Sequence, residues 1–295
     1  MGNPYGFRTI SDAEYHADPA PEPSLSSSIA KVLLNQSPMH AWFQHPRLNP
    51  QWTPDEPSGA MNFGTAVHLL VLAQDGAGEI TVVEANDWKT NAAKGARLEA
   101  WKAGRPALLE KDFDRARAVA AALRAAIARS ELAAFLKPAL GDYELTAIWR
   151  DERPELPEPV TCRAKFDWIA KDRGIALDLK TTARTASPGA AIATILQQGY
   201  DVQAAFYRRG VQVLTGVVPV YVLVFVETEP PYGVSFIGFK PEWLAFGEHK
   251  AVRAAQAWAN CRKTNLWPGY PERICWVDAP PWAESAFMAK ELPDE

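Results

Sequence analysis

Asp178, Leu179 and Lys180 form the most informative triplet in the chain. The run around them, GIALDLKTT, is aliphatic and β-branched and predicts a strand. On a strand, residues two apart point to one face, about 7 Å from each other. An acid and a lysine so placed can set a metal ligand beside a charge that orients or activates water. The same pair is also an ordinary surface salt bridge. Asp167 changes the odds. It lies on a second predicted strand, joined to the first by the tight Asp172–Gly174 turn, so its carboxyl can reach the neighbourhood of Asp178. Two carboxylates converging on one place repel unless a divalent cation neutralises them. His68 stands in an apolar helical run, FGTAVHLLVLA, where a lone histidine reads as a hydrogen-bonded core residue. Glu144, in DYELTAIW, reads alone as an exposed strand acid. Gln203 and Tyr207 are at i and i+4 and share one helix face, which simple amphipathicity also explains.

The elements that must position these residues follow from hydrophobic period and punctuation. PAPEP at residues 19–23 is a linker closing a loop-rich opening segment, residues 1–23. A serine N-cap then precedes an apolar 3.6-residue pattern at Ile29, Val32 and Leu33, which Ser37-Pro38 ends. A buried helix is expected from Met61 to Ala73, and a long Ala/Arg-rich helix over Glu110–Leu136. Past Gly141 the period changes. DYELTAIWRD, VTCRAKFDWIAK and GIALDLKTT predict three consecutive antiparallel strands, separated by PELPEP and by the Asp172–Gly174 turn. Ser187-Pro188 opens a helical region running to Leu214. VVPVYVLVFVE reads as a fully buried strand, GVSFIGF as a short one, and the run from Pro241 to Cys261 as a closing helix. Residues 24–265 make one α/β (α+β) domain, helical in its N-terminal portion. Residues 266–295 form a Trp/Pro-rich acidic tail, packed on the domain or at an oligomer interface.

Composition bounds the function. At 295 residues, with 47% hydrophobic and 22% charged, the chain is long enough for a real core and is not disordered. Its longest apolar run, Val217–Val226, contains Pro219 and falls far short of the ~20 residues a membrane span needs. No basic-then-apolar leader opens the sequence, so a cytoplasmic protein is expected. Cys162, Cys261 and Cys275 form no CxxC pair, which argues against a disulfide framework and a structural zinc. Three scattered cysteines also exclude a four-cysteine iron–sulfur cluster. Net charge is −4, yet Lys89–Lys137 holds eleven Lys/Arg against five Asp/Glu. A basic middle between acidic ends suits a groove for a phosphate backbone; it is equally a solvated helix surface.

Together these residues resemble the RecE-like (exodeoxyribonuclease VIII) branch of the PD-(D/E)xK nuclease superfamily. The matching stretches are Gly64–His68, Tyr143–Thr146, Arg163–Asp167, Asp178–Thr182 and Gly199–Tyr207. Each motif is weak alone; five in order, spanning about residues 24–260, are specific. The resemblance implies a restriction-endonuclease-like core, a central mixed β-sheet flanked by helices. It implies that His68, Asp167, Asp178 and the main-chain carbonyl of Leu179 hold Mg²⁺, for which Mn²⁺ substitutes. Lys180 would position or deprotonate the attacking water. Glu144 would be an accessory acid, and Gln203 and Tyr207 would line the site. Family members often carry an Arg-Pro-Asp run where this chain reads Arg163-Ala164-Lys165-Phe166-Asp167. Lys165 is then either an extra phosphate contact or a solvent-facing residue. Ser26, Ser28, Lys31, Lys165, Thr181 and Thr182 are candidate DNA contacts, the serines serving equally as helix caps. The implied activity is a Mg²⁺-dependent exonuclease acting 5′→3′ on double-stranded DNA ends, in phage or prophage recombination. Its expected partners are a homo-oligomeric ring and a single-strand annealing protein. The alternatives are an endonuclease or repair nuclease on the same fold, a non-catalytic DNA-end-binding protein, and a hydrolase of small phosphoesters.

Overall fold

In the computed structural model, residues 3–73, 76–136 and 138–291 are described. The short opening elements are β1 (Gly6–Thr9), α1 (Asp12–His16) and β2 (Leu25–Ser26). Helices follow: α2 (Ser27–Asn35), α3 (Pro38–Gln44) and α4 (Gly59–Leu72). Next come β3 (Thr81–Val83), α5 (Asn91–Lys102), β4 (Ala107–Leu109) and α6 (Glu110–Arg129). The central strands are β5 (Gly141–Asp151), β6 (Val160–Ala170) and β7 (Ile175–Thr182). The chain continues through α7 (Pro188–Gln198), α8 (Tyr200–Thr215), β8 (Val220–Glu227), β9 (Val234–Gly238), α9 (Pro241–Thr264) and α10 (Pro281–Glu291). The main sheet runs β1-β5-β6-β7-β8-β9, with β2 alongside β6, while β3 and β4 pair separately. It is mixed: β7 and β8 are parallel and the other neighbours along that path antiparallel.

Helices cover both faces. Trp149, Phe206 and Trp258 lie in a core between the sheet and α2, α8 and α9. Val67, Leu123 and Leu179 lie in a second core under α4 and α6. The apolar run of β8 serves both, with Tyr221, Leu223 and Phe225 in the first and Val222, Val224 and Val226 in the second. Its strand begins after Pro219, which has no N–H to donate to the ladder. Gly210 lets α8 close on the sheet, since a Cβ there would lie 2.8 Å from the Trp149 ring.

Local chemistry sets the boundaries. Ser130 stops α6 short of the expected Leu136: its hydroxyl donates to the Ile127 carbonyl and accepts from Leu132 N–H, opening a 3₁₀ turn. The helical region after Ser187 is broken by Gly199, at φ +63°, into α7 and α8. Ser37-Pro38 ends one helix and begins another, with Pro38 in the first turn of α3.

The opening segment carries short elements that its prolines and polar residues disguise. β1 pairs antiparallel with β5, and Ser11 with Glu14 forms a capping box on α1. Asp18, wholly buried, accepts from Ser24 N–H and Oγ at 2.9 and 2.6 Å. It also lies 3.1 Å from Arg163 and 3.3 Å from His45. This cluster fastens the segment to β6. Near the other end, Trp267 packs on Trp258 and the Pro268 carbonyl accepts from Met39 N–H; Trp276 stands 90% exposed. Among the described residues, no helix is long and apolar enough to cross a membrane.

Candidate active site

Strand register places three carboxylates in a row. β5 sets Tyr143 opposite Trp168 and Leu145 opposite Phe166, which leaves Glu144 level with Asp167. Glu144 itself sits at φ +51°, a conformation non-glycine residues adopt at a cost. β6 and β7 pair only at Trp168–Leu177 and Ile169–Ala176. One step further Asp167 comes level with Asp178, and there the ladder opens. Leu179 N–H donates to Asp167 Oδ2 at 2.7 Å instead of to a backbone carbonyl. From α4, His68 brings Nε2 to 3.1 Å from the Leu179 carbonyl and Nδ1 to 3.7 Å from Asp167 Oδ2.

Ligand atoms of His68, Glu144 and Asp167 all lie within 4.8 Å of one another. Asp178, only 3% exposed, is the fourth member: it pairs with Lys180 and accepts from Gln203 Nε2 at 2.7 Å. The same amide donates to the Tyr221 hydroxyl at 3.2 Å. Hard carboxylate and carbonyl oxygens with one imidazole are a donor set that fits a divalent cation of the Mg²⁺ or Mn²⁺ kind.

The electrostatics agree. Burial, then the charge of Asp178, pushes the Asp167 carboxyl up to about 7. Crowded carboxylates thus resist ionising together without a cation. Burial, then the Lys180 ammonium, lowers His68, leaving it a neutral imidazole near pH 7. Burial also opposes the charge on Lys180, but Asp178 and Asp167 outweigh it and the group is held firmly cationic. Glu144 is raised by burial, with Lys165 pulling the other way.

Most of the residues singled out in the sequence meet here: His68, Glu144, Asp167, Asp178, Leu179, Lys180 and Gln203. Tyr207 stands behind them, buried against Phe166 and Tyr221 with Ser27 as its hydrogen-bonding partner. Lys165 is engaged by acids of the protein itself. Its ammonium lies 2.6 Å from Glu144 and also pairs with Asp12, because β5–β6 pairing brings Lys165 beside Glu144. Ser26 is buried and caps α2 through Ile29 N–H, whereas Ser28 is exposed on that helix. Thr181 is half-buried, and the Thr182 hydroxyl accepts from Arg184 N–H.

Lys31 does reach the site. It shares the Tyr200 ring with Lys180, the two ammonium groups lying 5.6 and 4.9 Å from the ring centroid. Gly199 makes room for it, since a Cβ there would come within 2.7 Å of Lys31 Cδ. Tyr200, Tyr221 and Asp12 are residues that sequence reasoning missed. For Tyr221 a signal existed: a hydroxyl inside an otherwise apolar buried strand needs a partner.

A mixed sheet whose opened β6–β7 ladder presents clustered carboxylates and a lysine defines a PDDEXK-like protein. The chain belongs to the family described as PDDEXK-like domain of unknown function (DUF3799), which matches residues 26–280. Among solved structures it is similar to a crystal structure from Eubacterium rectale, of a protein named as a candidate exonuclease. The match covers 95% of this chain and 99% of the other, at 16% identity and a TM-score of 0.56, and shows a shared fold. The structure of SSO0001 aligns over 77% of this chain and 83% of its own, but at 9% identity and a TM-score of 0.29 it carries no argument. No curated protein sequence matches the chain.

Proposed function

We propose that the protein is a Mg²⁺-dependent exodeoxyribonuclease that hydrolyses linear double-stranded DNA from its 5′ ends, releasing 5′-phosphate products. The observation that carries this reading is the convergence of His68, Glu144 and Asp167 within 4.8 Å, beside the Asp178–Lys180 pair. A phosphodiester anion repels its nucleophile, so hydrolysis needs positive charge on the non-bridging oxygens and a water of lowered pKa. A bound divalent cation supplies both. His68, Asp167, Asp178 and the Leu179 carbonyl would hold it. Gln203 fixes the Asp178 carboxylate, and the hydrogen bond from Leu179 N–H fixes Asp167. Lys180, kept cationic at the edge of this cluster, orients the attacking water and the phosphate. Lys31, whose charge is answered by an aromatic ring, is placed to meet a neighbouring phosphate.

The product would be a 3′ single strand suited to annealing recombination, with a single-strand annealing protein as partner. Support for polarity and partner comes from the RecE-like motifs. A homo-oligomeric ring is supported by the exposure of Trp276 and Trp282, aromatic surface of the kind that interfaces cover.

Linear duplex labelled at the 5′ or 3′ end, incubated with and without Mg²⁺, tests the reading. Wild type should shorten one strand progressively from the 5′ end and spare a closed circle, while Lys180→Ala and Asp178→Ala are inactive. Cleavage of the circle would assign an endonuclease instead. Binding of ends without cleavage in Mg²⁺ or Mn²⁺ would assign an end-binding protein.

A further inference from the structure

Lys165 occupies a position that its sequence neighbourhood does not explain. On β6 it stands two residues before Asp167, on a strand whose other charged side chains, Arg163 and Asp167, serve the Asp18 cluster and the cation site. Its side chain is 12% exposed, and its ammonium lies 2.6 Å from Glu144 Oε2. Asp12 of α1 grips the same ammonium from the outside and is itself more than half exposed, so solvent screens much of its charge. Glu144 adopts a left-handed backbone conformation within this arrangement. One accessory carboxylate is therefore already neutralised, on one oxygen, by a charge built into the chain.

We infer that Lys165 takes the place of a second divalent cation and makes this a one-ion site. The inference rests on the nuclease reading above and goes beyond it. Charge supports it. Glu144 pairs with Lys165, Asp178 pairs with Lys180 and Asp167 lies level with both acids, so three negative charges face two ammonium groups, the solvent-screened charge of Asp12 aside. One divalent ion leaves this cluster with a single positive charge, the complement of one phosphodiester. A second ion would leave three, and would have to compete with Lys165 for the Glu144 carboxylate. Lys165 is a positioning residue in this role: it acts through Glu144, holding that carboxylate beside Asp167.

The test is ion stoichiometry. Mn²⁺ is titrated calorimetrically into the full chain, alone and with a short phosphorothioate duplex whose own uptake is subtracted. Wild type and Lys165→Arg should each take up one ion, and Lys165→Met two. The rate of DNA hydrolysis should rise with the first power of Mg²⁺ concentration in wild type. In Lys165→Met it should rise with a power near two, recovering only at concentrations about tenfold higher. Two ions in wild type would overturn the inference while leaving the nuclease reading intact, whether or not Lys165→Met folds. A folded Lys165→Met, with wild-type melting behaviour, that still takes up one ion would also overturn it. No ion bound by wild type would overturn the cation site itself.

Discussion

Tyr200 is the residue whose contribution can be isolated most cleanly. Its ring holds Lys180 and Lys31 by cation–π contact, an interaction worth roughly 0.5–2 kcal/mol. Tyr200→Phe keeps the ring and should retain most of the cleavage rate. Tyr200→Leu removes it and should slow cleavage by about 3- to 30-fold, since 1.36 kcal/mol is tenfold. Equal losses in the two variants would show that the hydroxyl, not the ring, matters. Gln203 gives a second contrast. Gln203→Leu strips hydrogen bonds from buried Asp178 and Tyr221 together and should cost about 1–3 kcal/mol of stability, read as a lowered urea midpoint.

Between elements, the α7–α8 junction couples backbone conformation to the site. Gly199 has φ +63° and lies against the Lys31 stem. Gly199→Ala adds a left-handed penalty of about 1–2 kcal/mol and pushes Lys31 aside. It should lower the melting temperature and weaken DNA binding at once, whereas Lys31→Ala should weaken binding with little change in melting. The sequence exposed most elements because period and punctuation coincide. The three strands from Gly141 to Thr182 and the apolar helix around His68 stand where their patterns put them. The left-handed break at Gly199 was hidden, because two helices of similar composition abut without a polar gap. β1 and α1 were hidden for another reason: the partner of β1 is far away in the chain, and α1 is one short turn whose capping box, Ser11 with Glu14, precedes no apolar run. In the site, motif order pointed to the ligands. It could not show that Lys165 would meet Glu144, which depends on cross-strand register and on a helix more than a hundred residues upstream.

At the scale of the molecule, the buried Asp18 cluster ties the opening segment to the sheet. Burial works against ionising Asp18, but His45, Arg163 and Ser24 outweigh it and hold the carboxyl below its ordinary range. A carboxyl depressed in the folded state contributes stability above its unfolded value of about 3.9 and gives it up as pH falls through the folded value. Urea midpoints of wild type should therefore drop on acidification below about pH 4. Asp18→Asn should show a shallower acid limb and, with Arg163 left uncompensated, lose about 3–5 kcal/mol at neutral pH. The cluster also bears on the order of folding. β1 must find β5, Asp18 must find Arg163, and the His45 ring rests 5.1 Å from Trp258. These closures join residues synthesised first to residues more than a hundred positions later, the kind of non-local pairing that slows folding. On the ribosome, the nascent chain would hold every strand of the sheet before α9 arrives to pack on α2 and α8, and would meet chaperones with the apolar sides of those two helices uncovered. A chain stopped at Lys240 should bind a hydrophobic dye and melt without cooperativity; the catalytic cluster, built almost entirely from residues before that point, would wait on a helix that contributes nothing to it but cover.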